Sequence, residues 1–101
     1  MPRQRANRAA YKARRKGAEG TFTAEDVNAQ MRLQAGCCFW CHKNLATTFH
    51  IDHLIPLKQG GSNWPDNLVM ACVPCNTSRK AKMPDEFREF LRITGRAPAS
   101  L

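Results

Sequence analysis

Cys38-Phe39-Trp40-Cys41 and, further on, Cys72-Val73-Pro74-Cys75-Asn76 enclose the stretch His50-Ile51-Asp52-His53-Leu54-Ile55-Pro56. Cys-x-x-Cys is the spacing at which one turn presents two thiolates to a single tetrahedral ion. Cys38, Cys41, Cys72 and Cys75 therefore predict one closed structural Zn2+ site. A redox dithiol, disulfides or buried free thiols compete with this reading, but two matched pairs favour the metal. Cys37 is left over and is read as local packing. The ion would tie the chain after the first predicted helix to the start of a later one. It would also supply folding free energy that 101 residues need, since so small a domain buries a small fraction of its surface.

Outward from the cysteines, Thr23 to Asp26 reads as a helix start, with Thr23 as N-cap and acids in the first turn. Val27, Met31 and Ala35 continue its apolar line, and Gly36 closes it. Thr47 to His53 is β-branched and aromatic enough for a strand, and Leu68 to Ala71 predicts a second. Residues 54–67 between them are dense in turn formers, and a long loop inside a small domain is usually functional. Cys72 to Lys82 reads as a turn running into a helix. Pro84 to Thr94 is a further helix, marked by Pro84 at its start, acids in its first turn and Gly95 after its end.

Sixteen Lys and Arg against eight Asp and Glu give a formal charge of +8, which on so small a body implies a polyanionic partner, with nucleic acid the first candidate. Much of the excess lies in residues 1–20, where Arg14, Arg15 and Lys16 are the densest cluster of a basic arm suited to phosphates. An odd cysteine count and the lack of a signal-peptide apolar region point to a reduced, cytoplasmic setting. No apolar run approaches the roughly 18 residues of a membrane span. Nothing heptad-like argues for an oligomer, so a monomer is expected.

The ordered string Asp52-His53-Leu54-Ile55-Pro56, Gly60-Gly61-Ser62-Asn63, Asn67-Leu68 and Cys72-x-x-Cys75-Asn76 resembles the HNH endonuclease family over about residues 36–82. The lead-in from Gly20 to Asp26 resembles that of small phage and prophage members, which often accompany DNA-packaging proteins such as terminase. The resemblance implies an α+β fold, a small ββα-metal, treble-clef-like domain with flanking helices and a structural zinc. The chain then divides into a DNA-binding arm (1–20), a nuclease domain (21–96) and a short tail (97–101). It further implies that His53 is the general base, that Asp52 and Asn76 hold a catalytic Mg2+ or Mn2+, and that Asn67 pins the loop and helps orient the base.

The chemistry of DNA hydrolysis asks for these residue types in its own right. A neutral imidazole, with an ordinary pKa near roughly 6.5, can take a proton from water, and a hard cation prefers the oxygens of Asp and Asn. A regular strand would send Asp52 and His53 to opposite faces, so both serve one site only if the strand ends or distorts there. Asn76 and Lys80, four apart, share a helix face, so Lys80 and Arg79 are candidates for DNA phosphates. His50 shares the strand face of Asp52 and is in place to touch the metal or a phosphate, with a histidine of no catalytic task as the equal alternative. A zinc deaminase would need Glu in place of Asp52 and would leave the first cysteine pair unexplained. The stronger rival is a non-catalytic zinc-ribbon or treble-clef DNA-binding protein, against which Asp52, His53, Asn67 and Asn76 argue.

Overall fold

The computed structural model of the chain describes residues 18–98. Arg14, Arg15 and Lys16, with most of the basic arm, lie outside the described residues, as do residues 99–101 of the tail. Helix α1 (Ala24–Leu33) opens on a capping box: Asp26 N–H donates to Thr23 Oγ1 (3.1 Å) and Thr23 N–H to Asp26 Oδ2 (2.8 Å). It closes before the expected Ala35, because Ala35 (φ 54°) and Gly36 (φ 74°) both adopt the left-handed conformation.

Strand β1 (His50–His53) pairs antiparallel with β2 (Leu68–Ala71) in the register His50 to Ala71 and His53 to Leu68. β2 has the predicted bounds. β1 is shorter than expected for two reasons. A turn with Ala46 at φ 52° occupies the chain just before it, and β2 has no residue to offer opposite Phe49, since Cys72 already caps the next helix. All four β2 residues are buried. The outer edge of β2 is closed by the Gln34 side chain, which accepts from Met70 N–H (2.9 Å) and donates to Met70 O (2.9 Å).

Helix α2 (Val73–Arg79) follows at once, and α3 (Pro84–Ile93) returns across the core with Phe87 and Leu91 buried. The core joins both cysteine pairs to Trp40, Leu45, Leu68, Val69, Met70, Phe87 and Leu91, with Trp40 and Phe87 edge to face at 5.2 Å. The described residues thus form a small α+β unit in which a two-stranded antiparallel sheet, three helices and a four-cysteine cluster share one core. Among the described residues no helix is long and apolar enough to cross a membrane.

The loop between the strands holds two 3-10 turns, Leu57–Gln59 and Pro65–Asn67. It folds back so tightly that a Cβ on Gly61 would stand 1.8 Å from the Ile55 carbonyl oxygen. Only glycine allows that approach.

Candidate functional site

Cys38 and Cys41 sit in the knuckle after α1, Cys72 is the N-cap of α2, and Cys75 lies in its first turn. Their four Sγ atoms lie within 4.8 Å of one another, with Cys41 and Cys72 at 3.8 Å. A tetrahedral ion with Zn–S bonds of about 2.3 Å has S···S edges of about 3.8 Å, so the donor set fits Zn2+. The thiols share protons at this range. A hydrogen bond from Cys75 holds Cys38 down to about 4, the same contact followed by burial pushes Cys75 up, and burial raises Cys41. A divalent ion takes the place of such protons. Cys37 lies outside the cluster, its thiol against Ala35 O at 3.6 Å.

Asp52 and His53 line one cleft of about 420 Å³, with Pro56, Leu57, Lys58, Lys80 and Ala81. They meet there although adjacent in sequence because β1 ends at His53, where the chain turns into the loop. A separate concavity of about 460 Å³ beside α1, lined by Gln30, Leu33, Gln34, Cys37, Cys38, Phe39 and His42, contains no carboxylate and no acid–base pair.

Asp52 is buried, and its Oδ2 accepts from Trp40 Nε1–H (2.9 Å) and Arg79 Nη1–H (3.0 Å). Both bonds fall on one oxygen. On His53, Nε2–H donates to Asn63 Oδ1 (2.8 Å), which fixes the proton on Nε2 and leaves Nδ1 as the free lone pair. Asn67 is buried and fully engaged: Oδ1 accepts from Ile55 N–H (2.8 Å), and Nδ2 donates to Ile55 O (3.0 Å) and Ser62 O (2.9 Å). It clamps the start of the loop to its middle. Asn76 Nδ2–H donates to His50 Nδ1 at 2.8 Å.

Two expectations for phosphate contacts change. Arg79 is only 1% exposed and is spent inside the protein. Its guanidinium pairs with Asp52 and donates to the carbonyls of His53 (3.2 Å), Leu54 (2.6 Å) and Lys82 (2.8 Å). It also lies 4.5 Å from the Trp40 ring centroid. With four of its five N–H groups engaged and the group buried, Arg79 has no exposed donor to offer DNA. Lys80 does not continue the helical face of Asn76, because α2 ends at Arg79 and Lys80 turns to φ 48°; it reaches the cleft from that turn instead.

A family model described as HNH endonuclease matches residues 38–91, more than half of the chain. The chain belongs to the HNH endonuclease family. Among curated proteins nothing matches it significantly. The match runs from the first cysteine of the cluster to Leu91 of α3, so the HNH unit includes both knuckles, the two strands, the loop and the Phe87–Leu91 face that closes the core. Membership makes DNA the implied substrate and the chain a nuclease by family.

Three residues that hold these side chains have roles here that the sequence does not assign. Trp40 reads there only as a core aromatic, Arg79 as a candidate phosphate contact, and Asn63 as part of the family string with no role of its own. Nothing in the sequence pairs Trp40 and Arg79 with Asp52, or Asn63 with His53.

Proposed function

We propose that this protein is a metal-dependent DNA endonuclease that hydrolyses phosphodiester bonds, with His53 as general base. The observation that carries the reading is His53 itself. Its Nε2–H is anchored on Asn63 Oδ1, so the lone pair on Nδ1 is held available in a cleft that also contains Asp52 and two lysines. An amide oxygen keeps accepting that hydrogen bond after Nδ1 takes a proton, so the ring stays in place through proton uptake.

Asp52 and Asn76 are the residues that would hold Mg2+ or Mn2+. The two donors on Asp52 leave its other oxygen for a cation, and His50 engages the nitrogen end of Asn76, leaving Oδ1. The bound cation would supply charge compensation on the phosphate oxygens and on the departing O3′. Lys80 and Lys58, at the cleft wall, suit the neighbouring phosphates. Asn67 keeps the loop closed so that Asn63 stays within reach of His53.

The basic arm is proposed to extend the DNA contact. Glu19 O accepts the Asn63 N–H at 2.7 Å, so the arm joins the domain beside the residue that holds the base. Plasmid cleavage by the zinc-loaded protein and by His53→Ala, with Mg2+ or Mn2+ and then with EDTA, tests the proposal. Metal-dependent nicking or linearisation lost in the variant supports it. No cleavage by the folded protein under any metal would favour a binding module instead.

A further inference from the structure

The pairing of Asn76 with His50 carries an inference that rests on this reading and deepens it. A carboxamide has an acceptor end and a donor end of nearly equal size, and only the oxygen ligates a cation. A half-turn about the Cβ–Cγ bond of Asn76 would exchange them at no steric cost, turning a ligand into a repelling NH2 group. What decides between the two orientations is the partner at the other end. Here that partner is His50 Nδ1, at 2.8 Å from Asn76 Nδ2. With Nδ2 donating, Nδ1 accepts, so the pairing is that of the Nε2–H tautomer of His50, which holds the NH2 end toward β1, whereas the Nδ1–H tautomer would hold the oxygen.

We propose that His50 is a positioning residue, which fixes the Asn76 amide so that Oδ1 rather than Nδ2 faces the cation site shared with Asp52. The placement supports this. His50 and Asp52 stand two apart on one face of β1, and Asn76 and Arg79 stand three apart on one face of α2. The two faces are knitted by matched contacts, His50 to Asn76 and Asp52 to Arg79.

The same geometry argues against His50 as a ligand. In the Nε2–H tautomer the one lone pair of a neutral imidazole, on Nδ1, is committed to Asn76, and none is left for the cation. His50 acts on the cation only through the residue beside it.

The test is Mn2+ binding by the full-length, zinc-loaded chain without DNA, followed by the electron paramagnetic resonance of free Mn2+, for the wild type, His50→Ala, Asn76→Asp and the double variant. His50 is exposed, so its removal spares the core; circular dichroism and zinc content verify that. A carboxylate offers two equivalent oxygens and needs no orienting. His50→Ala should therefore weaken Mn2+ binding about 10-fold beside Asn76, in the range expected for partners of metal ligands. It should weaken it by less than about twofold beside Asp at that position. Cleavage by His50→Ala should recover at saturating Mn2+, since the loss is in metal affinity rather than in the base. An equal loss in both backgrounds would make His50 a ligand and overturn the inference. So would no loss beside Asn76. If the wild type binds no Mn2+ beyond its zinc, the proposed catalytic site fails, and the inference with it.

Discussion

The four-cysteine cluster and the His53 cleft come from the same stretch of chain, yet they are held in opposite ways. Three of the four cysteines are buried, and all four sulfurs lie close enough to satisfy one ion without help from the rest of the protein. In the cleft no residue is self-sufficient: Asp52 is held by Trp40 and Arg79, and His53 by Asn63, as Asn76, on the neighbouring helix, is held by His50. On the proposed reading, stability is concentrated in a closed site, and the chemistry is distributed over an open one whose members are oriented by their neighbours. The two regions meet at Trp40, which belongs to the first knuckle by sequence and to Asp52 by its hydrogen bond.

That division can be broken at several points. Cys72→Ser should have the largest effect, because a zinc ion held by the four cysteines would tie the core together. Loss of bound zinc and of a cooperative unfolding transition is expected, measured by metal quantification and circular dichroism. A variant that stays folded and cooperative without zinc would remove the contrast altogether.

His53→Ala attacks the other region. Cleavage should fall by about 100-fold or more, within the usual range for a general base, with zinc content and unfolding midpoint unchanged. A shifted midpoint would mean that the cleft also carries stability.

Arg79→Met lies between the two. It leaves the buried Asp52 carboxylate without its cationic partner, so urea unfolding of the zinc-loaded protein should reveal a loss of about 3–5 kcal/mol. A smaller loss would indicate that Asp52 relaxes toward solvent through the cleft.

Trp40→Phe is the mildest and the most specific. It keeps an aromatic ring in the core and removes only the N–H on Asp52, for about 1.5–3 kcal/mol, with all four zinc ligands intact. If the knuckle helps aim Asp52, this variant should retain zinc while needing more Mg2+ or Mn2+ for half-maximal cleavage. An unchanged metal requirement would confine Trp40 to packing.

Much of the scaffold was legible because its signals are local. The Thr23 N-cap, the Leu68–Ala71 strand and the Pro84 start of α3 each follow from residues within one turn or one short run, and the structure has them where expected. The cysteine quartet was equally plain, since each pair fixes its own half of the site. The end of α1 and the start of β1 were misjudged by a few residues. Both are set by left-handed residues, Ala35 and Ala46, whose type gives no warning of that conformation.

Arg79 and Asn63 mark the limit of such reading. By composition Arg79 is one of sixteen cations in a basic chain, and Asn63 and Asn67 are two asparagines in one loop. Burying a guanidinium is favourable only where a carboxylate, several carbonyls and an aromatic face converge on it, and those come from β1, the loop, the knuckle and the α2–α3 link. The sequence by itself determined the four-cysteine cluster, the main elements, the charge and the family, because spacing and short-range capping act within a turn of the chain. The tertiary structure alone decided which side chain holds which, because a hydrogen-bond partner distant in sequence is chosen by the packing that brings it near.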